Sequence, residues 1–180
     1  TNRRDLMQPE DDPWHQEIFA TVPALLEAFL RWVCCGEKRH IAPGTAADIY
    51  GVLPRMAEPG EPGAKWMLAI KDDLRKRLKG MKFLPIWGEG GLDFTTPEVG
   101  RLLPPEFSFL DRANSRPAKL MGAHAVSREL LGNKAVRTLV DIRLLQEMPP
   151  REFAAICGKK GALERWSAAQ GADDYLPVIR

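Results

Sequence analysis

Apolar residues at steps of three and four run through much of the chain, and the stretch Gly63 to Thr96 carries the clearest pattern. From Lys65 onward, Met67, Ile70, Leu74, Leu78 and Met81 stack on one side of a 3.6-residue helix. That spacing predicts a helix from Lys65 to Gly80 with this side buried. The period then changes. Lys82-Phe83-Leu84-Pro85-Ile86-Trp87 is rich in aromatic and branched residues and predicts a short strand. Pro85 cannot donate to a ladder, so an edge position is expected. Glu89-Gly90-Gly91 supplies a turn, and Leu92-Asp93-Phe94-Thr95 alternates apolar and polar residues as a returning strand does.

The rest of the chain reads as mainly helical. Thr1 to Asp12 has no apolar period and is expected to be a loose arm. Asp12-Pro13 is a helix start, with Trp14, Ile18 and Phe19 on its apolar side, and Thr21-Val22-Pro23 predicts a restart or kink. Leu25 to Val33 then forms a wide apolar face ended by Gly36, and the most apolar window, Ile18 to Cys35, is expected to be a core helix. Thr45 is placed to cap a short helix through Leu53, and Glu58-Pro59-Gly60-Glu61-Pro62-Gly63 is a loop. After the hairpin, Thr96-Pro97 predicts a brief helical turn to Leu103, stopped by Pro104-Pro105. Phe107 to Arg116 is irregular, and Pro117 to Leu131 is predicted helical. Gly132-Asn133 is a stop, and Val136, Leu139, Val140, Leu144 and Met148 give the next helix its face. Arg151 to Cys157 and Ala162 to Ala169 complete the series as a helical hairpin.

These elements predict a mainly α fold with a small β-hairpin: a flexible arm over 1–12, one domain over 13–103 and a C-terminal helical bundle over 104–180. A short helix, a second helix and a hairpin in that order resemble the architecture of winged-helix proteins, although the linker between the two helices is longer than a helix-turn-helix normally uses. No family motif can be laid on the chain residue by residue.

Composition adds little to this until charge is located. At 180 residues, 44% hydrophobic and 28% charged, the chain has ordinary globular content, and a net charge of +2 is mild. Between Gly63 and Lys82, however, seven Lys/Arg stand against two Asp, a local balance of +5. Lys71, Arg75 and Lys79 recur at steps of four on the side opposite the apolar stripe, with Lys65, Lys76, Arg77 and Lys82 nearby. Cations in a stripe beside a glycine-tipped hairpin suit the phosphates of nucleic acid, and Trp87 near the hairpin tip is a candidate to stack on a base. Asn and Gln are missing from the helix, which points to phosphate contact over base reading, with Arg75 and Arg77 still suited to guanine. A charged face opposite an apolar stripe is equally the mark of a solvated surface helix.

Other chemistry is weakly signalled. Cys34, Cys35 and His40, with Cys157 or His15, have zinc-binding side chains at unsuitable spacing, and no metal or cofactor is expected. Three cysteines and no secretory leader predict reduced thiols in the cytoplasm. Gly158-Lys159-Lys160-Gly161 misses the phosphate-loop pattern, and the three histidines have no nucleophile motif around them. Asp93 and Glu98 lack the lysine that a metal-dependent nuclease would add. The expectation is therefore a non-catalytic cytoplasmic protein that binds nucleic acid, DNA before RNA, in a regulatory, replication or multi-subunit nucleoprotein setting, without a membrane. The alternative is a helical adaptor whose basic face and C-terminal helices, Pro117 to Ala169, meet protein partners.

Overall fold

A computed structural model describes residues 13–35, 41–54, 64–88, 91–111, 119–120 and 123–158. Helix accounts for 62% of them, with a two-stranded antiparallel sheet and a second sheet built around a parallel pair of connections. The arm over 1–12, the Glu-Pro-Gly linker and the helix expected over Ala162 to Ala169 lie outside the described residues.

The first element, α1 (Pro13–Cys35), runs for 23 residues with Pro23 inside it. The helix runs through Thr21-Val22-Pro23 without a restart, and the Thr21 hydroxyl donates back to the Ile18 carbonyl, 2.7 Å away, rather than capping forward. One side of α1 joins the core through Leu30, Val33 and Cys34, with Phe19, Leu26 and Phe29 packed against it, while Trp14, Ile18, Leu25 and Trp32 on the other side are exposed, so α1 is a core helix on one face alone. Next come α2 (Ala46–Tyr50) and α3 (Ala64–Leu78). Thr45 does not cap α2 with its side chain. Its hydroxyl donates backwards to the Ala42 carbonyl at 3.2 Å.

The α3 helix matches the predicted span closely, and Ile70, Leu74 and Leu78 are buried as the period requires. It leads into β1 (Leu84–Gly88) and β2 (Gly91–Thr95), an antiparallel hairpin in the register Leu84↔Thr95 to Gly88↔Gly91. The Pro85 carbonyl accepts the Ser127 N–H at 3.0 Å, and Ile86 bridges to Val126. The N and O of one strand residue face the same way, so Pro85 turns its missing donor away from β2.

Beyond the hairpin the chain departs from the predicted helices. Thr96 to Val99 is a turn, and β3 (Gly100–Leu102) follows in place of a helical turn to Leu103. Pro117 to Leu131 is not one helix: it holds β4 (Lys119–Leu120), β5 (Ala123–Ala125) and the start of α4 (Arg128–Asp141). β6 (Gln146–Glu147) and α5 (Pro150–Cys157) complete the described chain. The strands lie in the order β4-β5-β3-β6, with β3 parallel to both β5 and β6 and β4 antiparallel to β5. β5 and β6 lie parallel on either side of β3, and α4 carries the chain across from one to the other. Gly132 interrupts α4 at φ 75° and ψ 154°, the break that Gly132-Asn133 predicts.

One apolar core joins these pieces. It takes Leu30 from α1, Tyr50 from α2, Leu74 from α3, Leu84 from β1, Leu102 from β3 and Leu131 and Leu139 from α4. This core and the β3-centred sheet cross position 103, where the sequence suggests a division. α3 packs mainly on α1, and α2 packs on α4. The second contact is tied by Lys134 Nζ to the Gly51 carbonyl at 2.6 Å and by Thr138 Oγ1 to the Pro54 carbonyl at 3.2 Å. A smaller cluster of Leu103, Met148, Phe153 and Ile156 seats α5, with Phe107 and Phe153 ring centroids 4.4 Å apart.

Candidate nucleic-acid interface

The basic surface is built by α3 and the turn that leaves it. Burial of Ile70, Leu74 and Leu78 fixes the rotation of the helix, so residues on the far side must face solvent. Arg75, Lys76 and Lys79 are exposed there, Lys71 is half-buried, and Lys82 is exposed just before β1. Among the described residues none of these five cations forms an ion pair. The side chain of Lys65 lies outside the described residues. The surface is not purely cationic, since Asp72 is exposed and Leu68 is 57% exposed beside the stripe.

Arg77 is drawn away from the stripe. Its Nε donates to Asp73 Oδ2 at 2.9 Å, one helical turn back, and its Nη1 donates to Glu27 Oε2 on α1 at 3.2 Å. Glu27 also receives Arg31 Nη2 at 2.8 Å. These contacts, the Arg31 hydrogen bond first and the Arg77 hydrogen bond second, hold the Glu27 carboxyl below its ordinary range. The sequence shows Asp73 at the right spacing for Arg77, but Glu27 is fifty residues away and carries no such signal.

The α3–β1 turn is pinned from behind. Cys35 Sγ at the end of α1 donates to the Lys82 carbonyl at 3.2 Å. The buried Tyr50 hydroxyl donates to the Phe83 carbonyl, and Cys34 Sγ lies 3.7 Å from the same hydroxyl. Burial, then the neighbouring Cys34, pushes the Tyr50 hydroxyl well above the usual tyrosine value. The adjacent cysteines thus have separate packing and hydrogen-bonding surroundings. The cations at Lys79 and Lys82 accordingly sit on a backbone fixed at both ends.

Trp87 stands opposite Leu92 in the hairpin, half-buried and packed against the main core. Its indole Nε1 is buried without a hydrogen-bond partner among the described residues. This is the packing arrangement across the hairpin, and it leaves only part of the ring to meet a base. Residues 89 and 90 at the tip lie outside the described chain. Thr95 and His124 form a separate polar contact, Oγ1 to Nδ1 at 2.7 Å, that links the hairpin to β5.

Comparison of the chain with protein-family models, with curated proteins and with solved structures gives no match. What this surface does has to be argued from its own chemistry.

Proposed function

We propose that the protein binds nucleic acid, DNA in preference to RNA, by phosphate contacts from the exposed side of α3 and its exit turn. The observation that carries this reading is the set Lys71, Arg75, Lys76, Lys79 and Lys82, held on α3 and its exit turn without ion pairing among the described residues. A cation that neutralises a phosphate releases counterions from the nucleic acid, and one already paired to a carboxylate must first give up that partner, whereas an unpaired one need not. Lys65 extends the same helix toward its start. The winged-helix likeness enters here as a proposal about use: α3 lies along the backbone or in a groove, and the β1–β2 hairpin flanks it. With Arg77 held by Asp73 and Glu27, Arg75 is the remaining arginine of the stripe suited to guanine, so binding is phosphate-dominated and weakly selective. The protein acts by binding, in a cytoplasmic regulatory or nucleoprotein assembly. Fluorescence anisotropy with labelled duplex and single-stranded oligonucleotides tests this. The unsubstituted protein binds at low salt, and Lys71→Glu/Arg75→Glu/Lys79→Glu abolishes binding while leaving the circular dichroism spectrum intact. Equal binding by the triple variant would remove the proposal.

A second reading, an adaptor that meets protein partners, draws support from exposed apolar side chains. Leu68 is one of them, and more of them lie on α1.

A further inference from the structure

On the face of α1 turned away from the core, Trp14, Ile18, Thr21, Leu25, Ala28 and Trp32 follow one another at steps of four, three, four, three and four. That is the a/d spacing of a helix–helix seam, sustained for almost three heptads and about 30 Å. All six positions are exposed, with Trp14 at 65%, Ile18 at 40%, Leu25 at 65% and Trp32 at 59%. A continuous apolar strip of this kind is unusual on a monomer surface. We infer that α1 pairs with α1 of a second copy in antiparallel orientation, making the protein a two-fold symmetric dimer.

Size and charge both favour that partner. Antiparallel pairing places Ile18 against Ala28 of the second copy and Leu25 against Thr21 of the second copy, large against small. Trp14 then meets Trp32 of the second copy at each end. Between the two end tryptophans the one polar side chain of the seam is Thr21, whose hydroxyl already donates to the Ile18 carbonyl at 2.7 Å, so covering it costs little. Glu17 and Arg31 flank the seam on the same side, and antiparallel pairing sets Glu17 opposite Arg31 of the second copy twice, once at each end. Arg31 uses Nη2 for Glu27, and its other N–H groups remain to serve Glu17. A parallel pair would stack like on like, Leu25 on Leu25 and Ala28 on Ala28, and would not bring Glu17 and Arg31 together across the seam.

A membrane fits less well. Gln16–Cys35 is long and apolar enough, by length and composition, to cross a bilayer. Yet the other face of this helix packs on α3 and exchanges the Glu27–Arg77 ion pair with it. Glu17, Glu27 and Arg31 give α1 a net negative charge, the opposite of the basic rim that holds a helix on an anionic surface.

Sedimentation equilibrium of the whole chain without nucleic acid tests the inference, so its outcome is independent of the proposed binding function. The expected result is a reversible dimer, converted to a folded monomer by Leu25→Glu, which alters an exposed position. Glu17→Arg alone and Arg31→Glu alone each weaken dimerisation about tenfold, because symmetry repeats the contact. The double exchange Glu17→Arg/Arg31→Glu returns it to within about threefold of the starting value. A monomer at every concentration would overturn the inference, as would a dimer indifferent to these exchanges or flotation with anionic vesicles that Leu25→Glu abolishes while the protein stays monomeric.

Discussion

The Arg77 guanidinium of α3 lies 3.2 Å from the Glu27 carboxylate of α1, so one cation of the basic helix is committed to holding two helices together. Arg75, two residues earlier, is exposed and makes no ion pair among the described residues. These neighbours therefore differ in what they offer a phosphate. Arg75→Gln is expected to reduce the salt dependence of oligonucleotide binding by about one unit of slope, and Arg77→Gln by much less. Anisotropy titrations of both variants over a range of salt check this.

The same pair gives an acid dependence. The Glu27 carboxyl is held below its unfolded value of 4.5 by Arg31 first and Arg77 next. A depressed carboxyl contributes stability that is present above the unfolded value and is lost as pH falls through the folded one. Urea denaturation should thus show the protein weakening on acidification below about 4.5, with Glu27→Gln flattening that part of the profile. The contribution is small, since both arginines are well exposed to solvent.

Tyr50 gives the alkaline counterpart. Its hydroxyl is buried, donates to the Phe83 carbonyl and is pushed well above 10.0 by burial and then by Cys34. A raised tyrosine keeps its proton in the folded state while the unfolded chain gives it up. Stability is therefore full below about 10 and falls as pH rises beyond it. Tyr50→Phe removes that alkaline loss but leaves the Phe83 carbonyl without its donor, at a cost of about 1–3 kcal/mol at neutral pH. Thermal melts at neutral and alkaline pH separate the two effects.

Gly132 holds φ 75° and ψ 154° within α4, a conformation open almost only to glycine. A Cβ there would also lie 3.3 Å from the Ala47 Cβ of α2. Gly132→Ala is expected to destabilise the fold by about 1–3 kcal/mol, measured by chemical denaturation.

Local pattern explains which parts of this fold were legible. The α3 helix follows from a period sustained over its 15 residues and the β1–β2 hairpin from a branched and aromatic run followed by the alternation Leu92 to Thr95, and Gly132 announces its own break. Strands β3, β5 and β6 have two or three residues each, too few for any period, and exist because β3 pairs with segments more than twenty residues away. Ala123-His124-Ala125 has the content of a helix and becomes a strand through that pairing. The basic stripe was readable for the same reason as α3. The loss of Arg77 to Glu27 and the inward packing of Trp87 depend on tertiary contacts that spacing does not encode.

The central claim, phosphate-dominated nucleic-acid binding by α3, is tested most directly by the salt dependence of affinity for a short duplex. Four exposed cations, unpaired among the described residues, predict a slope of log affinity against log salt near −3.6, a loss of about 10²-fold between roughly 50 and 200 mM. A slope close to zero, or no binding at the lowest salt, would contradict it.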